Sequence, residues 1–224
     1  MTQHLIVLGD SLADSGNTAS VLQLIGQNPF EDDIYDKGGN VKASDGPVLG
    51  EFVAIEMGAK IDDAQLISAI SSEGPKDVQV HNYAHSGAST DASPGFSLPT
   101  GEFVGMGLKE QKKRVVDRKL FYKSQTDVDV LISAGGNDIR DAAVDSIDQI
   151  KEVIATDSKK DDRQFARSIA KPIARNLRRT IRRLAPFTDE IAFGVGQIFT
   201  ETPEAQDWLT NFSSEDQRKA LGVI

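Results

Sequence analysis

Short β-type runs of strand length alternate along this chain with stretches whose apolar residues recur every three to four positions. The runs are His4 to Leu8, Val78 to Ala84, Val128 to Ala134 and Ile191 to Val195. Helical spacing covers Leu12 to Ile25, Gly50 to Met57, Leu108 to Tyr122, and a long stretch from Ile139 through Leu184. Brief continuous apolar runs are the mark of buried strands, and the wider spacing is that of helices with one buried face. Their alternation predicts βαβ units, an α/β fold with a parallel sheet and helices on both faces, in one domain over residues 1–224. Pro172, inside the last helical stretch, predicts a kink or the true start of that helix. Two stretches, Gly26 to Pro47 and Ser89 to Gly107, follow neither period. Loops this long either wall a substrate site or run as surface connections, the second carrying Phe96, Leu98, Phe103, Val104 and Met106. Near the C-terminus, Ser214 and Gln217 have capping-box spacing and predict a helix through Leu221 and Ile224. No further strand follows, so the sheet is expected to be incomplete, lacking its last βα unit.

Composition narrows the chemistry. The 224 residues suffice for one sizeable core, and the net charge of −9 argues against nucleic acid as the main partner. There is no cysteine, hence no disulfide framework and no thiol nucleophile. No apolar run is long enough to cross a membrane, and Met-Thr-Gln-His does not open a signal peptide. The chain therefore reads as cytoplasmic, or as the mature form of a secreted protein. Asp32, Asp33 and Asp36 lack calcium-loop spacing, no His pair has zinc spacing, and neither Gly105-Met106-Gly107 nor Gly194-Val195-Gly196 completes a phosphate fingerprint. No metal or cofactor is expected. His4, His81 and His85 are the only imidazoles.

The chemistry gathers where strands end. Gly9-Asp10-Ser11-Leu12-Ala13-Asp14-Ser15-Gly16-Asn17 directly follows the first run, so Ser11 sits where a strand breaks into a turn and then a helix. Open parallel sheets place their sites outside the carboxyl ends of the strands, and a helix N-terminus there favours developing negative charge. Asp10, Ser11 and Asp14 read equally well as helix caps. The second run leads into Asn82-Tyr83-Ala84-His85-Ser86-Gly87-Ala88, and the third into Gly135-Gly136-Asn137-Asp138. Acyl transfer needs a nucleophile and donors aimed at the tetrahedral oxyanion. The N–H groups of Ser11 and Gly87 and the Asn137 amide are candidates for those donors. Turn chemistry alone accounts for Gly87 or Asn137 taken singly.

In this order, the three blocks resemble the first three of the GDSL lipase/esterases of the SGNH hydrolase superfamily. Ser44-Asp45-Gly46-Pro47-Val48 with Glu51-Phe52 resembles the segment after that family's first helix. The resemblance covers residues 4 to 140 closely and 160 to 200 loosely. It implies a flavodoxin-like three-layer α/β/α sandwich and a carboxylic-ester hydrolase acting through an acyl-enzyme. Ser11 is then the nucleophile, with Ser11 N–H, Gly87 N–H and Asn137 as the oxyanion hole and Asp10, Asp14 and Asn17 holding the turn. The substrate is a small ester or a lipid.

One block is missing. The family ends in an Asp and a His three residues apart, and no Asp-x-x-His occurs in this chain. His4 opens the first strand at the wrong end of the sheet, and His81 lies mid-strand. His85 alone reaches the rim, as a substrate-side residue or surrogate base. The missing pair is therefore expected from a C-terminal segment or fragment of the same protein. The competing expectation is an inactive SGNH-like module that binds an acylated or glycan ligand.

Arg163, Arg167, Lys171, Arg175, Arg178, Arg179, Arg182 and Arg183 fall in one stretch without an acidic residue. With the chain at −9 and this stretch at +8, the remaining residues carry −17. Phe165, Ile169, Ile173, Leu177, Ile181 and Leu184 form a buried stripe between them, so the cations read as the solvated face of a crossover helix. Attraction to anionic lipid headgroups is a further use for such a face.

Overall fold

A computed structural model describes residues 3–27, 42, 44, 47–59, 78–91, 95–97, 99–101, 103–117, 127–156, 158–194, 209–214 and 216–217. The strands among them are β1 (Gln3–Gly9), β2 (Val78–Asn82), β3 (Phe96–Ser97), β4 (Phe103–Val104), β5 (Asp127–Ser133) and β6 (Glu190–Gly194). The helices are α1 (Asn17–Gln23), α2 (Leu49–Glu56), α3 (Leu108–Asp117), α4 (Gly136–Asp145), α5 (Ile147–Thr156) and α6 (Lys159–Leu184). Strands β2, β1, β5 and β6, in that spatial order, form one parallel sheet, with β1 in register with β2 on one side and β5 on the other. This is the flavodoxin-like order, and its direction reverses between β1 and β5.

The central run Leu5 to Leu8 is continuous because both faces of the sheet are covered there. Leu5 and Val7 point to one face, against Val53 and Ala54 of α2. Ile6 and Leu8 point to the other, against Leu108 and Val115 of α3 and Leu177 and Leu184 of α6. Helix, sheet and helix thus make the expected three layers. A separate cluster joins Ala143 of α4, Ile150 and Ile154 of α5, Phe165 of α6, Leu209 and Phe212. Segment 89–107 contains the β3–β4 hairpin, and its base is closed by Leu108 N–H donating to the Ser89 carbonyl at 3.0 Å.

Several expected boundaries move. The first helix begins at Asn17 rather than Leu12, because residues 10–14 form their own turn. The long helical stretch divides into α4, α5 and α6. Helix α6 runs its full 26 residues through Pro172, which neither starts nor ends it. Its apolar stripe explains this: Phe165 and Ile169 pack into the outer cluster, while Ile173, Leu177 and Ile181 pack on the sheet. Contacts on both sides of the proline outweigh its missing N–H. Near the C-terminus the capping serine is Ser213, not Ser214: its hydroxyl accepts from Asp216 N–H at 3.3 Å and donates to the Asp216 carboxylate at 2.6 Å. The helix expected through Leu221 and Ile224, and most of the Gly26–Pro47 loop with its aspartates, lie outside the described residues.

The end of β1 tolerates only glycine. Gly9 has φ +147°, and a Cβ there falls 1.9 Å from the Ser133 carbonyl oxygen of β5. Gly26, with φ +74°, faces open space. Gly9→Ala is expected to cost more than about 4 kcal/mol and Gly26→Ala about 1 kcal/mol, read by urea unfolding. Similar costs at the two positions contradict the packing described for the β1–β5 rim.

Candidate active site

The loop that carries Ser11 is fixed at its root by a buried amide. Gln111 of α3 is fully buried; its Oε1 accepts from Gly9 N–H at 2.8 Å, and its Nε2 donates to the Gly9 carbonyl at 2.8 Å and the Met106 carbonyl at 2.7 Å. The Gly9 carbonyl also accepts from His85 N–H, and Asp10 N–H donates to the Ser133 carbonyl, each at 3.0 Å. Beyond this point Ala13 N–H and Asp14 N–H both return to the Asp10 carbonyl, so Ser11 heads a single tight turn. The Asp10 carboxylate accepts from Leu12 N–H at 3.3 Å.

Asp14 ties this turn to the loop after β2. Its Oδ1 accepts from Gly16 N–H at 2.9 Å and Asn17 N–H at 2.7 Å. Its Oδ2 accepts from Thr18 N–H at 3.3 Å, Ser86 N–H at 2.7 Å and the Ser86 hydroxyl at 2.9 Å. The carboxylate therefore caps α1, where the helix dipole favours it, and also grips the residue before Gly87. Two asparagines knit the same loops reciprocally. Asn17 Nδ2 donates to the Asn82 and Ala84 carbonyls, at 3.1 and 2.8 Å, while Asn82 Nδ2 donates to the Ala13 carbonyl at 2.7 Å.

The third loop joins through Asn137. It lies in the first turn of α4, and its Nδ2 donates to the Ala88 carbonyl at 2.9 Å. An amide nitrogen has two hydrogens, and the second has no partner among the described residues. Asp138 beside it accepts from Thr90 N–H at 2.9 Å and the Thr90 hydroxyl at 2.7 Å. Gly87 has φ +79°, a conformation glycine adopts freely, and its missing Cβ faces open space. Ser11, Gly87 and Asn137 thus follow the carboxyl ends of β1, β2 and β5, on loops bonded to one another at the β1–β5 switch point.

His85 belongs to the packing of these loops. It is 3 % exposed, and its Nδ1 lies 3.5 Å from the Thr18 hydroxyl. His4 and His81 stack with ring centroids 5.2 Å apart, and His4 lies near the amino end of β1, away from the Ser11 rim. Gln111 escapes sequence reasoning; its one signal is a polar residue in line with Leu108 and Val115 on the buried face of α3.

The chain matches the profile of the GDSL-like lipase/acylhydrolases over residues 5–219. It belongs to that family. A comparison with curated proteins finds no match.

Two buried groups at this rim have shifted proton affinities. Burial pushes the Asp10 carboxyl up to about 6, with the Asp138 charge adding to the rise and the Leu12 N–H opposing it. Burial pushes the His85 imidazole down to about 4, opposed by the Asp14 carboxylate and aided by Arg114. Asp10 holds its proton more tightly in the folded chain, so its contribution to stability falls as pH rises from about 4 to 6. His85 releases its proton more readily when folded, so its contribution falls as pH drops from 6.5 towards 4. Each is worth about 3 kcal/mol and the two have opposite signs. The melting temperature is therefore expected to lose stability on acidification through this window in Asp10→Asn, and on alkalinisation in His85→Asn, with the parent flatter than either. Parallel profiles for all three proteins contradict these assignments.

Proposed function

We propose that the chain is a carboxylic-ester hydrolase with Ser11 as its nucleophile. The observation that carries this reading is the bonding of three separate sequence blocks at one rim, Asp14 to Ser86 and Asn137 to Ala88. It leaves one Asn137 N–H for a ligand beside the glycine whose Cβ position is open.

In this reading the Ser11 hydroxyl attacks the ester carbonyl carbon while its proton passes to a general base. The N–H groups of Ser11 and Gly87 and the free N–H of Asn137 receive the oxyanion as it forms. Collapse expels the alcohol, which takes the proton back from the base, and water activated in the same way clears the acyl-enzyme. No metal or cofactor takes part in this sequence. The base is the unfilled role. His85 is buried beside Thr18 and Asp14, and a group titrating near 4 is a weak base at neutral pH. The chain has no Asp-x-x-His. We assign the base to an Asp–His pair supplied by polypeptide outside these 224 residues. The lack of a base within the described rim also favours one rival, an inactive module that binds an acylated or glycan ligand without turnover.

The test is hydrolysis of p-nitrophenyl butyrate, by the 224-residue chain alone and joined to the downstream segment of its polypeptide. The chain alone is expected to show only the feeble residual rate of an oxyanion site without its base. The joined protein should turn over, losing activity entirely in Ser11→Ala and by about 100- to 1,000-fold in kcat in Asn137→Ala. Turnover unchanged in Ser11→Ala overturns the nucleophile. Ser11-dependent turnover by the chain alone places a base within it and makes His85 the next residue to replace. Saturable ligand binding without turnover in the joined protein establishes the rival.

A further inference from the structure

The basic stretch of α6 has a surface consequence that ester chemistry does not require. Its eight cationic side chains are all exposed, and none forms an ion pair or hydrogen bond with a described residue. The ion pairs among the described residues are Lys42–Glu51 and Arg140–Asp141, both elsewhere. Helix α3 packs beside α6 on the same layer and adds Lys109 and Lys113, also exposed. Lys112 between them is held below its ordinary pKa by partial burial and by the charges of Arg183, Lys109 and Arg179, against Glu110 alone. Like charges are therefore crowded on this face of an acidic protein, without ion-pair compensation among the described residues, an arrangement that an anionic partner relieves.

The shape and chemistry of the face select the partner. Helix α6 is 26 residues long, about 39 Å at 1.5 Å per residue. The large exposed apolar residues among those described, Leu24, Phe52, Ile55, Val144 and Phe193, all lie off α3 and α6. The face suits adsorption by charge, not insertion or an apolar protein interface. With the rest of the chain at −17, a flat anionic surface that touches this face alone is favoured over a polyanion that wraps the molecule. Helix α6 also reaches the rim, where Asn176 Nδ2 lies 3.4 Å from the Thr90 hydroxyl.

We propose that the cationic face of α6 and α3 docks the protein on bilayers carrying anionic phospholipid headgroups, with the Ser11 rim held at the lipid surface. The proposal rests on the acylhydrolase reading only for its purpose, delivery of a lipid ester to the rim.

Adsorption is read without turnover, by co-sedimentation with vesicles of phosphatidylcholine with or without phosphatidylglycerol. The parent protein is expected on the phosphatidylglycerol vesicles at about 0.1 M salt and released at about 0.5 M, with little bound to neutral vesicles. The variant R175Q/R178Q/R179Q/R182Q/R183Q should bind at least about 100-fold more weakly. The corresponding five-lysine variant should bind within about threefold of the parent, which separates charge from damage to the helix. Equal binding to neutral vesicles, or unchanged binding by the glutamine variant, overturns the proposal. Tighter binding to duplex DNA than to the anionic vesicles overturns it in favour of a nucleic-acid surface. Ser11→Ala leaves adsorption intact, so a failed nucleophile and a failed docking face give different results.

Discussion

The site depends on one buried carboxylate. Asp14 is fully buried and accepts hydrogen bonds from Gly16, Asn17, Thr18 and both donors of Ser86. Hydrogen bonds to an ionised acceptor are roughly twice as strong as neutral ones, and the Gly16 and Asn17 N–H groups lose this partner without it. Because these donors come from α1 and from the loop after β2, the carboxylate fixes the Ser11 turn relative to Gly87. Asn17 and Asn82 bond the same loops, and Ser86 N–H also donates to the Thr18 hydroxyl at 2.8 Å, but the carboxylate gathers the most donors at one point. The rest of the rim is arranged around this bond: Gln111 roots the Ser11 turn on α3, and Asp138 and Asn137 bring the third loop to the second.

Burial has a price that the rim meets by balancing charges. Asp10, one residue before Ser11, is held towards its neutral form, while His85 is held neutral beside Asp14. The backbone donors of the two loops converge on Asp14. The lowered pKa of His85 gives it little affinity for a proton at neutral pH, and its Nδ1 faces the Thr18 hydroxyl. In the proposed reading, the donors of Ser11, Gly87 and Asn137 stand at this rim and the base comes from elsewhere.

Much of the fold was legible because a parallel sheet covered on both faces writes its central strands as continuous apolar runs, as Leu5 to Leu8 and Val130 to Ile132 do. All four expected strands end within two residues of the observed ends. Helix limits were harder. Asn17 starts α1 because a turn held by the Asp10 carbonyl intervenes, and Pro172 lies inside α6 because packing on two clusters overrides a local breaker. Ser11, Gly87 and Asn137 were legible as turn chemistry at strand ends. Gln111 and Thr90 were not, since their partners lie 102 and 48 residues away and nothing local announces them.

The most direct measurement on the Asp14 clamp is native-state hydrogen exchange in the parent protein and Asp14→Asn. If the carboxylate fixes the two loops, the amides of Gly16, Asn17 and Ser86 should exchange at least about tenfold faster in the variant, while those of Leu5 to Leu8 and Val130 to Ile132 keep their protection. Unchanged protection at Asn17 and Ser86, or an equal loss throughout the sheet, contradicts a local clamp as the constraint on which the site is built.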